Sequence, residues 1–73
     1  MSEPRFLEVK EMGDSYIAVP VHIPKPSDDV VRRVDYDSAT QYHVEDCLRK
    51  ANMIENPEQR KDFVLSELEV MFG

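Results

Sequence analysis

Apolar and polar residues alternate along the first third of the chain, then give way to a helical period. In Arg5-Phe6-Leu7-Glu8-Val9-Lys10-Glu11, Leu7 and Val9 alternate with Glu8 and Lys10. After Met12-Gly13-Asp14, residues 15–23 place Ile17, Val19, Val21 and Ile23 at every second position, the period of a half-buried strand. This pattern predicts a β-hairpin with Leu7, Val9 and these four residues turned inward. Gly13-Asp14 supplies the turn, because glycine adopts a positive φ without steric cost. Pro20 has no N–H to give to a ladder, which puts the second strand at a sheet edge.

Pro24-Lys25-Pro26-Ser27 ends the hairpin, since each proline holds its own φ and the residue before it in extended geometry. Residues 28–36 read two ways. Ser27 with Asp28 and Asp29 could cap a short helix. β-branched Val30, Val31 and Val34 could instead form a third strand, and the preference goes slightly to the strand.

From Asp37 onward the period is helical. Asp37-Ser38 offers an N-cap, and Gln41 follows Ser38 at the spacing of a capping box. Val44, Cys47, Leu48 and Ala51 share one face. Residues 52–55 interrupt the pattern. A second helix then begins with Asn56 as N-cap, Pro57 at the first helical position and Glu58 in the first turn. Its expected apolar stripe is Val64, Leu68 and Met71, widened by Leu65 and Phe72. The expected fold class is α+β: an N-terminal hairpin, with a candidate third strand, packed with two C-terminal helices. No linker or repeat divides the chain, so residues 1–73 are read as one domain.

Charge narrows the class of partner. Fifteen Asp and Glu stand against nine Lys and Arg, a net −6 on 73 residues, spread along the chain. Apolar residues make up 41%, enough for a folded domain with an acidic surface. Such a surface repels nucleic acid and is steered towards basic ones. The two C-terminal helices have a helix-turn-helix outline, but Glu58, Asp62, Glu67 and Glu69 on the second outweigh Arg60 and Lys61, and phosphate would repel that reading head. The N-terminus, Met1-Ser2-Glu3-Pro4, lacks the basic and apolar regions of a signal peptide, and no apolar run approaches the ~20 residues needed to cross a bilayer. A single cysteine fits a reducing cytoplasm.

Candidate chemistry is sparse. His22 and His43 are the only histidines, and no HxxxH, HxxE or Cys/His spacing joins them to a metal site. Cys47 falls on the apolar face of the first helix, beside Glu45 and Asp46, which raise a thiol pKa rather than lower it. The carboxylate pairs, such as Asp28-Asp29 and Glu45-Asp46, lie in polar stretches without the shielding that acid–base catalysis needs. The chain is therefore read as a binding module, a monomer with no cofactor, and not as an enzyme.

From Met1-Ser2-Glu3-Pro4-Arg5-Phe6 to Glu69-Val70-Met71-Phe72-Gly73, the chain resembles the small transcription regulators of lytic phages, including those that infect Xanthomonas. The likeness lies in small size, acidity, a single cysteine and a hairpin followed by helices. It lies in no short motif, so no family residue is carried over. In that family the protein contacts a terminal segment of a large subunit of host RNA polymerase, blocks promoter-dependent initiation and promotes read-through of terminators. The resemblance thus implies binding to the host polymerase, in the host cytoplasm, with inhibition of initiation and antitermination. A different binding class is a nucleic-acid mimic, whose carboxylates stand in for phosphates on a DNA- or RNA-processing enzyme. The expected contact is the first strand and the residues before it. Phe6, Glu8 and Lys10 alternate with inward Leu7 and Val9, so they share the outer face; Phe6 is a candidate anchor. Glu3, Glu8 and Glu11 supply negative charge, and Arg5 a further hydrogen bond.

Overall fold

A computed structural model describes residues 3–73; Met1 and Ser2, on which the reading of the N-terminus begins, lie outside them. Three strands precede two helices: β1 (Phe6–Met12), β2 (Ser15–Val21), β3 (Val30–Asp35), α1 (Ser38–Asn52) and α2 (Pro57–Phe72). The sheet is antiparallel with order β2-β1-β3, so the first strand is central. Within residues 28–36, Val30–Asp35 form a strand rather than a helix, after a turn at Asp28 and Asp29, and the α+β expectation holds.

Two residues, Gly13 and Asp14, join Met12 to its partner Ser15, and Gly13 takes φ 59°. A two-residue turn with positive φ matches the twist of the flanking strands. It also sets the register: Leu7 pairs with Pro20, Val9 with Ala18 and Glu11 with Tyr16. On the other side of β1 the register slips between Val9 and Lys10, which pair with Arg32 and Val30 and leave Val31 as the extra residue of a bulge.

That register corrects the expected inward face of the second strand. Leu7 and Val9 do face the helices and are fully buried, and paired residues share a face, so Tyr16 and Ala18 turn inward with them. Ile17, Val19 and Val21 consequently point to the other side of the sheet. The strand also ends at Val21, and Ile23 is 77% exposed. Across the core, Val44, Leu48 and Ala51 of α1 meet Val64 and Leu68 of α2. These residues repeat at helical spacing, and their joint burial holds the short helices to the sheet.

Local signals set the helix ends. Asp37 caps α1 by accepting from the N–H groups of Ala39 (2.9 Å) and Thr40 (3.3 Å). The Ser38–Gln41 capping box does not form: Gln41 instead donates to Glu45 at 3.1 Å. Asn56 caps α2 as expected, accepting from Glu58 and Gln59, with Pro57 at the first helical position. Leu65 does not widen the buried stripe of α2; it is 44% exposed. Arg60 occupies that stripe one turn before Val64, donating to the carbonyls of Ile54 and Glu55 in the link between the helices. Those carbonyls have left the helical ladder, so the guanidinium fork satisfies acceptors that burial would otherwise orphan.

Candidate functional site

α1 packs against β2, and α2 against α1, so the helices cover one face of the sheet. No strand or helix covers its outer face among the described residues, but the segment 22–29 crosses it: β2 and β3 flank β1 and both run antiparallel to it, so the link between them passes over β1, and Arg33 on this face donates to the Lys25 carbonyl. Three positions of this face come from β1: Phe6, Glu8 and Lys10. The pairings add Val21, Val19 and Ile17 from β2, with Asp35 and Arg33 from β3. Phe6, Ile17, Val19 and Val21 are half-buried on this face. They form an apolar cluster along one side of Glu8, which isolated strands would not give.

At the centre of this face stands Glu8, only 3% exposed, paired with Val19 on one side and Arg33 on the other. The Arg33 Nε donates to Glu8 Oε2 at 2.8 Å, and Lys10 Nζ lies 3.9 Å from Oε1. A carboxylate removed from water costs several kcal/mol unless compensated, so two cations at this distance explain why it remains there. Arg33 also donates through Nη2 to the Lys25 carbonyl at 3.4 Å, tying the proline-rich segment to the sheet.

The structure distributes the six expected contact residues over three places. Phe6, Glu8 and Lys10 share the outer face. Glu3 and Arg5 are exposed where the chain enters β1; the Arg5 backbone donates to Val21 and accepts from Tyr36. Glu11 is exposed but lies on the helix side, where it accepts from the Tyr16 hydroxyl at 2.8 Å. Burial, and then that hydrogen bond, push the Tyr16 pKa up to about 12. Sequence reasoning missed Ile17, Val19, Val21 and Arg33 as members of the outer face. A signal was present: across a two-residue turn, odd-numbered residues of β1 pair with even-numbered residues of β2.

The residues considered for chemistry lie elsewhere. His22 and His43 are exposed, and the His43 ring sits edge-on to Tyr42 at 6.0 Å. Cys47 is buried in α1, and burial, followed by the charges of Glu67 and Asp46, pushes its thiol pKa up. Among the described residues, no three of His, Cys, Asp and Glu are placed to hold a metal ion, and no helix is long and apolar enough to cross a membrane. Compared with protein-family models, with curated proteins and with solved structures, the chain matches none.

Proposed function

We propose that this chain is a small regulator that binds a large subunit of bacterial RNA polymerase in the host cytoplasm and acts by occupancy. The observation that supports this reading best is the half-buried apolar cluster of Phe6, Ile17, Val19 and Val21 on the outer face of the sheet, with the charged Glu8, Arg33 and Lys10 beside it. Apolar anchors ringed by polar groups are the usual make-up of a protein contact. The net charge of −6 suits a basic partner and repels free nucleic acid. The partner itself comes from the whole-chain resemblance to phage regulators. A protein that binds one state of the polymerase better than another shifts the population between them, so inhibition of initiation and terminator read-through need no chemistry from the regulator.

The test is capture of purified polymerase by the immobilised chain. Phe6→Ala combined with Val19→Lys should weaken capture by at least about tenfold, while Leu65→Ser on the exposed side of α2 should not. Circular dichroism melts check that both variants fold. Glu8 is unsuitable for charge reversal, because the change would strand Arg33 and Lys10 in the sheet. Full capture by the Phe6/Val19 variant would refute this contact.

A second reading is supported by Glu58, Asp62 and Glu69, which fall on one exposed stripe of α2. Carboxylates in a row can imitate a phosphate backbone, as an inhibitor of a DNA- or RNA-processing enzyme requires. Binding by that stripe would weaken steeply with salt and fail when the three are changed to Gln or Asn.

A further inference from the structure

The two edges of the sheet are finished differently. On β2, Tyr16 turns its N–H and C=O away from β1, and the Asn52 side chain takes both. Hydrogen-bonding direction alternates along a strand, so Ala18 and Pro20 also face that edge. Pro20 has no N–H, and α1 lies alongside. That edge is closed to a further strand.

On the opposite side, the Tyr36 N–H donates to the Arg5 carbonyl and the Glu11 N–H to the Asp29 carbonyl, each at 2.9 Å. Odd-numbered residues of β1 therefore bond towards β3, where Leu7 meets Val34 and Val9 meets Arg32. The same alternation turns the N–H and C=O of Arg33 and Asp35 outward. Among the described residues nothing bonds them. Two successive outward donor–acceptor pairs are the template to which an extended chain adds.

A cleft of about 710 Å³ runs along this edge. It reaches from Phe6 on the outer face, past Asp35 and Tyr36, to Thr40 and Phe72 on the helix side. Tyr36 and Phe72 are half-buried on its helix side and give an aromatic lining for an apolar side chain there, while Phe6 borders it on the outer face.

We propose that the free edge of β3 binds an extended basic segment of a partner protein as a fourth strand, with an apolar side chain of that segment seated on the helix side against Tyr36 and Phe72. Charge selects the occupant. Exposed Asp28 and Asp29 stand at one end of the edge, and exposed Asp35 and Asp37 at the other. The arginines between them are engaged: Arg33 with Glu8, and Arg32 with Glu69 at 3.8 Å and the Phe72 ring at 5.5 Å. Lysine or arginine at the ends of an added strand would meet carboxylates. A second antiparallel copy would set the aspartates of one chain against those of the other, on top of the repulsion between two chains of −6. This inference goes beyond the polymerase reading, since it holds for a basic segment of any partner.

The test titrates the isotope-labelled chain with a short synthetic peptide alternating lysine and valine. The largest amide shifts, and new protection from hydrogen exchange, should appear at Arg33 and Asp35. Asp35→Pro removes an N–H that has no partner within the described residues, so the fold should stand while affinity falls at least about tenfold. Asp35→Asn keeps the N–H and should stay within about threefold of the parent. Independently of folding, two forms of the peptide are N-methylated on alternate amides; only the form blocked on the side facing β3 should lose binding. Equal binding by both methylated forms, or equal losses in the two Asp35 variants, would mean that charge alone holds the peptide and would overturn the proposal. So would a concentration-dependent dimer of the chain that Asp35→Pro abolishes, because the edge would then belong to a second copy.

Discussion

The Asn52 side chain makes with the Tyr16 backbone both hydrogen bonds that a neighbouring strand would make: the Tyr16 N–H donates to Oδ1 at 2.9 Å, and Nδ2 donates to the Tyr16 carbonyl at 3.1 Å. The last residue of α1 thereby docks the helix to β2 and occupies the sheet edge at that point. Asn52→Ala should lower stability by about 1–3 kcal/mol, because it leaves a donor and an acceptor beside the core unmet. Urea unfolding measures this. Asn52→Asp keeps an acceptor but loses the donor to the Tyr16 carbonyl, and should also be weaker than the parent. An unchanged midpoint in both would show that this link carries no stability.

The Glu8–Arg33 pair should respond unequally to truncation of its two members. Arg33→Ala strands a carboxylate that is 3% exposed, leaving only Lys10 at 3.9 Å to answer it. A loss on the order of 3 kcal/mol follows from the desolvation that remains. Glu8→Ala strands Arg33 instead, whose side chain is partly in water and retains the Lys25 carbonyl. That loss should be smaller. Equal losses in thermal or urea unfolding would mean that Glu8 reaches solvent in solution.

Tyr16 makes stability depend on pH in the alkaline range. Its folded pKa is raised from 10.0 to about 12, so the native state holds the phenol proton after the unfolded chain has released it. The unfolded state then binds fewer protons, and stability falls as pH rises from about 10 to about 12. Below pH 10 this contribution is fully present. Other groups titrate in the same range, so the informative quantity is the difference between the parent and Tyr16→Phe. The variant loses the Glu11 hydrogen bond, but its stability should fall less steeply between those two pH values. Parallel curves would contradict the assignment.

Cys47 should react slowly with a thiol reagent in the native protein near neutral pH. Its burial limits access, and its raised pKa lowers the thiolate fraction. The rate should climb to that of an unstructured thiol across the urea transition. Fast labelling without urea would place the first helix in a looser packing than α1 and α2 show.

The helical half of the fold is legible in the sequence because its determinants are local. Asn56 and Pro57 start α2 where their capping chemistry places them, and Val44, Leu48 and Ala51 mark the inner side of α1 through helical spacing alone. The existence of β1 and β2, and an edge position for Pro20, follow from alternation and from a missing N–H. A period of two identifies two faces of a strand; it does not say which of them meets the helices. Apolar content alone favours Ile17, Val19 and Val21 as the inner set. Register overrides it, because Leu7 and Val9 are inward and the two-residue turn pairs them with Pro20 and Ala18.

What the sequence by itself determined, then, are the elements, their order, the helix caps and the acidic balance, all of which depend on neighbours within a few positions. Tertiary structure decided which side of β1 the third strand joins, and with it the burial of Glu8. Glu8 is taken out of water only when β3 arrives from a distant part of the chain: Arg33 then pairs with it, and the segment 22–29 that crosses β1 to reach β3, held by Arg33 at the Lys25 carbonyl, lies over this face. The same long-range choice determines the outer face and the open edge at Arg33 and Asp35, since both arise from how the strands and helices are assembled rather than from any residue's immediate neighbours.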